Sequence, residues 1–180
     1  AAITHAEAPP MTETVQYSPP DNLQRARTLL GQTIVTRLTA TEYTETLGKT
    51  VRPLDAKQAA LLRREMQRHP LALLAAYARG EIAFRTVAQR DAGDRTMAVL
   101  EAATGPFDRL RVHIDVESLL VRTVETWETL PDGTPLHLSE AWQDYRDVGT
   151  LRVPFRRLTS QDNGQNRIEA VFAKWTPTLP

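Results

Sequence analysis

The strongest pattern in the sequence is a strict alternation of apolar and charged positions over residues 109–116. The apolar positions hold Leu110, Val112, Ile114 and Val116, and the positions between them hold basic or acidic side chains. Because successive side chains of a strand point to opposite faces, this segment would have one apolar face and one charged face. The pattern therefore predicts a half-buried antiparallel strand.

Short segments of similar character recur along the chain, separated by turn sequences rich in Gly, Pro, Asn and Asp. Such regular spacing of β-branched and aromatic runs is typical of antiparallel sheets. The candidate strands are Leu23–Leu30, Thr33–Thr39, Glu42–Leu47, Ile82–Ala88, Arg95–Ala103, Arg109–Val116, Leu119–Thr129, Leu136–Tyr145, Val153–Ser160 and Arg167–Lys174. An additional edge strand at Ile3–Ala8 is possible, and the turns include Asp91–Asp94, Pro131–Gly133 and Asp162–Gly164.

One helical pair interrupts the strands. Asp55 is a plausible N-cap, and apolar side chains then recur at helical spacing until Pro70, which ends this helix and suits the first turn of another. The second helix, Leu71–Arg79, is apolar around most of its circumference, so we expect it to be buried. The predicted fold class is α+β, with a curved antiparallel half-barrel of about ten strands wrapped around a central helical pair.

Composition excludes several classes of protein. The 22 basic and 22 acidic residues cancel, so the overall charge does not favour nucleic acid. The absence of cysteine excludes disulfide frameworks, thiolate metal sites and cysteine nucleophiles. The longest strongly apolar stretch, Leu71–Ala78, is too short to span a bilayer.

No residue pattern predicts catalysis, a metal or a cofactor. None of the four histidines has the spacing of a zinc peptidase motif, and His113 with Asp115 supplies at most two ligands on one strand face. No serine lies in a nucleophile elbow, and there is no phosphate-binding glycine loop. The acid pairs, Asp144 with Asp147 and Glu125 with Glu128, are interpreted as surface charges.

The helical pair suggests a function, because a curved sheet closed by an apolar helix encloses a concave apolar interior. That interior is either a cavity for an acyl chain or a filled core, and a filled core predicts that Leu74→Arg unfolds the protein. The candidate lining residues are Leu62, Met66, Leu71, Leu74, Tyr77, Leu110, Val112 and Ile114.

Two runs in the C-terminal half, Asp115–Arg122 and Asp144–Phe155, resemble a signature of the LolA/LolB-like lipoprotein-carrier domains. They are most similar to the version found C-terminal to, or beside, zinc peptidases of the insulinase/pitrilysin type. Pro20–Arg25 and Gly31–Val35 resemble earlier parts of the same family pattern, and the resemblance covers most of residues 3–176. The matching signature residues are Asp144, Tyr145, Arg146, Gly149 and Pro154.

Residues 1–12, which include Pro9 and Pro10, are expected to form an extended segment. The resemblance implies that residues 13–180 form a single LolA/LolB-like domain. It implies no catalytic residue. It implies a bacterial periplasm or cell envelope, and as partners a lipid or lipoprotein acyl chain, or a peptidase domain of the same polypeptide. The family's N-terminal helix and the peptidase H-x-x-E-H motif are absent, so we expect a fragment of a larger protein.

Two other functions remain open. One is a purely structural interaction module with a filled core, which would bind partners without any lipid. The other, more remote, is a hydrolase that uses Asp144 with His137 or His113, and it requires these side chains to lie within hydrogen-bond reach of one another.

Overall fold

Two helices and twelve antiparallel strands form from the segments that the computed structural model describes, namely residues 12–18, 22–105, 107–130, 133–161 and 166–175. The strands are β1 (Thr12–Ser18), β2 (Asn22–Leu29), β3 (Gln32–Leu38), β4 (Tyr43–Leu47), β5 (Thr50–Pro53), β6 (Ala83–Ala92), β7 (Arg95–Thr104), β8 (Arg109–Asp115), β9 (Val121–Thr129), β10 (Pro135–Val148), β11 (Leu151–Gln161) and β12 (Asn166–Val171). The helices are α1 (Ala56–Gln67) and α2 (Pro70–Ala78).

The predicted α+β class with antiparallel strands is confirmed. Each of the ten candidate strands appears, with bounds that differ by a few residues. The two further strands are β1 and β5, and the strands form two sheets of five and seven members. β5 has only four residues, all exposed, so it carries no apolar alternation by which the sequence alone would reveal it.

Some expectations fall outside the described residues. These are the edge strand at Ile3–Ala8, the extended segment up to residue 11, the first two residues of the Pro131–Gly133 turn and the Asp162–Gly164 turn. Thr12, the last residue of the expected extended segment, begins β1. In the part of the chain that is described, neither helix is long and apolar enough to cross a membrane.

The chain divides into two compact units, Ala1–Ala75 and Ala76–Pro180, and the division falls within α2. In the first unit the sheet runs in the order β1-β2-β3-β4-β5. The hairpin between β2 and β3 turns at Leu30 and Gly31, whose φ angles of 50° and 78° match a tight two-residue turn.

Helix α1 begins at a capping box. The Gln58 amide donates to Asp55 Oδ1 at 2.7 Å, and the Gln58 side chain accepts from the Asp55 amide at 3.3 Å. Ala59 and Met66 then lie on the buried side of α1 and form a core with Leu23 and Leu38 of the sheet. The sequence therefore places the start of this helix correctly, because the capping residues are local in the chain.

In the second unit the strands lie in the order β12-β11-β10-β9-β8-β7-β6. Leu110 lies opposite Thr126 and Val112 opposite Val124, and all four side chains are buried on one face of β8 and β9. Arg111 lies opposite Glu125 on the other face. The alternation thus produces the predicted two-faced strand over the first five residues of β8. Beyond the register shift between His113 and Ile114 the prediction was wrong, because Asp115 is 4% exposed and Val116, expected on the apolar face, is 44% exposed.

Helix α2 is less buried than its composition suggests. Pro70, Ala72 and Leu73 are buried, but Leu74 and Tyr77 are 63% and 57% exposed. The expectation of a fully buried helix was wrong, because an apolar circumference does not by itself supply neighbours on every side. The unfolding expected of Leu74→Arg does not apply either, since a charge at this exposed position stays in water.

Candidate functional site

The apolar side chains proposed as a ligand-binding set lie in three different surroundings. Leu62 and Met66 belong to the α1 core of the first unit. Leu110 and Val112 are 0% and 3% exposed in the second sheet. The half-buried members are Leu62, Leu71 and Ile114, and the exposed members are Leu74 and Tyr77.

The exposed part of this set lies on α2. Leu71, Leu74 and Tyr77 follow one another at intervals of three residues, so they share one side of the helix. The Tyr77 ring lies 6.1 Å from the Phe84 ring, centroid to centroid, in a tilted arrangement. We call Leu71, Leu74 and Tyr77 the α2 stripe; it offers accessible apolar surface with an aromatic ring at one end.

The signature residues on β10 and β11 shape the strand pair. Asp144 has a φ of 51°, which is rare for a residue with a side chain, and the ladder is interrupted at this position, between Gln143–Arg156 and Tyr145–Pro154. Pro154, which has no N–H to donate, lies beside this interruption. Gly149 has a φ of 61° in the turn that joins the two strands.

The side chains of the same signature also have specific partners. Arg146 Nη2 donates to Asp144 Oδ2 at 2.6 Å, and its guanidinium lies 4.4 Å from the centroid of the Phe155 ring. The Tyr145 hydroxyl donates to the carbonyl oxygen of Val121 at 2.5 Å, and burial raises the pKa of Tyr145 to about 12. These contacts lie within the pair β10–β11 and between β10 and the start of β9, and the interpretation of these residues as a fold signature stays a prediction.

A polar cluster that the sequence did not predict lies on β8, β9 and β10. His113 Nε2 is 2.8 Å from Glu125 Oε2, and His137 Nε2 is 3.7 Å from Glu125 Oε1. The His137 ring stacks on Trp127 at 4.6 Å, and the Arg109 guanidinium lies 4.7 Å from the Trp127 ring centroid. Two sequence signals could have placed Glu125 and Trp127 of β9 beside His137 of β10. They are the alternation within β9 and the turn between β9 and β10, and both require that the strand order is known.

Among the described residues, no group of three or more His, Asp or Glu side chains is arranged to hold a metal ion. The expected partner of His113, Asp115, is engaged elsewhere: Arg122 Nη2 donates to its Oδ2 at 3.0 Å. Glu125 and Glu128 are three residues apart on one strand, so they point to opposite faces.

The arrangement required for a hydrolase is absent from the described residues. Asp144 and His137 are seven residues apart on β10, which places them about 23 Å apart along the strand. Asp144 is paired with Arg146 and His113 with Glu125. Asp144 and His137 are therefore too far apart to share a proton, and His113 is bonded to Glu125, so the structure does not bring together the residues of the hydrolase hypothesis.

Two carboxylates of the second unit are strongly stabilised as anions. Hydrogen bonds from Arg85, Arg111 and Arg109, in that order of effect, lower the pKa of Glu101 to about 2. Hydrogen bonds from the Ser118 amide and from Arg122 lower the pKa of Asp115 to about 2. Both groups therefore serve structure rather than proton transfer near neutral pH.

We expect the domain to lose stability in acid because of these two groups. A carboxyl with a lowered pKa in the folded state favours folding above its ordinary pKa, 4.5 for Glu101, and this contribution is lost as the pH falls towards 2. Urea unfolding midpoints measured across this range should fall steadily with pH. In Glu101→Gln the fall should be shallower than in the exposed control Glu117→Gln, and equal slopes would contradict the assignment.

Comparisons with known proteins give a match of structure alone. No protein-family model matches the sequence, and no curated protein matches it. A domain from Vibrio parahaemolyticus, provisionally described as an outer membrane lipoprotein-sorting protein domain, is similar with a TM-score of 0.56 and 11% identity. The match covers 91% of this chain and 75% of that one.

A LolA superfamily protein from Nitrosomonas europaea is similar at 11% identity with a TM-score of 0.48, over 92% of this chain and 84% of that one. At such low identity a structural match shows the fold and does not identify a function. The match to the Vibrio domain covers most of both chains, and it agrees with the resemblance seen in the sequence. The chain therefore has the LolA-like fold.

Proposed function

We propose that this chain is a non-catalytic domain of the bacterial cell envelope that binds an apolar ligand, a lipid or a lipoprotein acyl chain. The observation that carries the proposal is the exposure of the α2 stripe, where Leu74 is 63% exposed and Tyr77 57% exposed. The description of the Vibrio domain as a lipoprotein-sorting protein domain supports the ligand class. The periplasm or cell envelope of a bacterium is the location that the sequence resemblance implies, and it is part of this proposal.

The α2 stripe is suited to an acyl chain for a physical reason. Covering apolar side chains with a hydrocarbon removes their surface from water, which contributes roughly 25 cal/mol per Å² of surface buried. Neither Leu74 nor Tyr77 has a charged neighbour next to it in the sequence, since residues 70–78 are all uncharged. A chain lying along residues 70–78 would therefore meet no charge from α2 itself.

The other members of the predicted set are assigned a different role. Leu110, Val112 and Met66 are at most 9% exposed, so they already pack against protein atoms. We interpret them as core residues that hold the fold, and the α2 stripe as the surface that contacts the ligand.

A structural module that docks a protein partner is the second candidate function. It is favoured by the dense packing of Leu110, Val112 and Val124, which leaves these three side chains no more than 3% exposed. In that case the α2 stripe would contact a partner protein instead of a lipid. The sequence resemblance implies one such partner, a zinc peptidase domain of the same polypeptide. In that case this chain would lie C-terminal to the peptidase domain.

The test is native mass spectrometry of the protein purified from bacterial cells, before and after organic extraction. We expect a lipid-sized adduct on the wild type and its loss from Leu74→Arg, because a guanidinium on α2 would have to lose its hydration beneath an acyl chain. The matched control is Leu61→Arg, since Leu61 is an exposed leucine of α1 at 42% exposure.

Both variants should unfold at the same urea concentration as the wild type, since both positions are exposed. An adduct that survives in Leu74→Arg would reject the α2 stripe as the contact surface. A wild type that carries no adduct and takes up no added fatty acid would reject lipid binding and favour the docking module.

A further inference from the structure

The strand β12 forms an outer edge of the seven-stranded sheet. On this strand Ile168 is 66% exposed and Val171 is 70% exposed. An exposed edge with apolar side chains offers unpaired backbone groups to another strand, and proteins usually protect such edges. β12 has no proline, and its register with β11 is unbroken from Arg156–Val171 to Gln161–Asn166.

The other three sheet edges differ from β12. β5 ends in Pro53, and β6 has two irregularities in its register with β7. β1 has a single charged residue, Glu13, which pairs with Arg25 and Arg27 of the neighbouring strand. The proline of β5 and the irregular register of β6 therefore hinder the addition of another strand. β1 lacks alternating charges that would fix the register of an added strand.

We propose that β12 pairs with β12 of a second copy of this chain, in antiparallel orientation around a two-fold axis at Ile168. The charge order of the strand supports this register, because Arg167 and Glu169 flank Ile168. Centring the pair on Ile168 places Arg167 of each copy opposite Glu169 of the other. A register centred on Arg167 or on Glu169 would place like charges opposite one another, which destabilises a strand pair.

The backbone of β12 presents the groups that this register uses. The Phe172 amide donates to the carbonyl oxygen of Phe155 at 2.8 Å, one step beyond the Arg156–Val171 pair. Because bonded and non-bonded positions alternate in an antiparallel ladder, the amide and carbonyl groups of Arg167 and Glu169 point away from β11. These are the residues that would exchange hydrogen bonds across the two-fold axis.

The charged pairs across the two-fold axis would continue a row of ion pairs that already links β11 and β12 within one chain. Arg156 Nε donates to Glu169 Oε1 at 2.7 Å, between β11 and β12. In the pair of chains, Glu169 would lie between Arg156 of its own copy and Arg167 of the other. Since a two-fold axis gives each contact twice, the pattern closes on two copies and does not propagate into a fibre.

The test is sedimentation velocity of the whole chain and two charge reversals, Arg167→Glu and Glu169→Arg. The wild type should shift with concentration from 20.2 kDa towards twice that mass. Each variant alone places like charges opposite one another, so its dimerisation should weaken by about tenfold or more. Mixing the two variants should restore the dimer, because every Glu then faces an Arg of the other chain.

The matched control is Arg90→Glu, a charge reversal on the edge strand β6, which should dimerise as the wild type does. A wild type that stays at 20.2 kDa at every concentration would overturn the proposal. So would a dimer that neither reversal weakens, or a mixture of the two variants that stays monomeric. Circular dichroism that matches the wild type shows that each variant is folded.

Discussion

Replacing Trp142 with Ala is expected to lower the free energy of unfolding by about 3 to 5 kcal/mol, the loss typical of deleting a fully buried aromatic side chain. Trp142 is 1% exposed and lies opposite Arg157 in the register of β10 and β11. Its ring stacks on Phe172 with centroids 6.5 Å apart, and the Arg157 guanidinium lies 5.6 Å from its centroid. Removing the indole leaves a cavity that these rigid neighbours cannot fill.

Trp127→Ala is the matched control for this substitution. Trp127 is only half-buried, and its ring contacts Arg109 and His137, which can keep or regain water when the indole is removed. We expect its loss to be less than half of that for Trp142→Ala. Guanidinium unfolding of both variants gives the comparison, and equal losses would show that Trp142 does not anchor the core of the second unit.

Replacing Arg25 with Ala is expected to lower the free energy of unfolding by about 3 kcal/mol, the low end of the range for breaking a buried ion pair. Arg25 is 2% exposed, and its guanidinium lies 3.2 Å from Glu13 and 2.9 Å from Glu65. Its Nη2 also lies 3.7 Å from the sulfur of Met66, in the core beside α1. Without Arg25, Glu65 loses its nearest cation and Glu13 keeps only Arg27 among the described residues, and the buried stem of the side chain leaves a gap.

Arg27→Ala tests whether burial causes this effect. Arg27 lies two residues along the same strand and contacts the same carboxylates, at 3.0 Å from Glu13 and 3.9 Å from Glu65, but its side chain is 39% exposed. Exposed ion pairs contribute about 0 to 1 kcal/mol, so we expect a loss in that range. Urea unfolding of the two variants should separate them clearly, and similar losses would assign the effect to charge alone.

The local features of the fold were predictable from the sequence. The capping residues Asp55 and Gln58 are three positions apart in the chain, so α1 could be placed without knowledge of the tertiary structure. The strand at residues 109–115 follows from its own alternation. The resemblance around Asp144 was also visible, since Arg146, which binds Asp144, and Pro154, which lies opposite Tyr145, are nearby in the sequence.

The candidate site was predictable only in part. Leu74 and Leu73 are adjacent and identical in type, yet Leu74 is 63% exposed and Leu73 only 5%. Periodicity identifies the sides of a helix, but it does not say which side a neighbour covers when every side is apolar. The sequence therefore named the α2 leucines as a set, and the structure separated packing residues from accessible ones.

The amino-acid sequence by itself determined the type and approximate bounds of both helices and of ten of the described strands, but not β1 and β5, because these properties depend on neighbours within a few residues along the chain. Only the tertiary structure decided that His137 and His113 meet at Glu125, that Arg25 is buried with Glu13 and Glu65, and that β12 forms an edge. The physical reason is that strand order and register bring together residues far apart in sequence, and these contacts leave no local pattern.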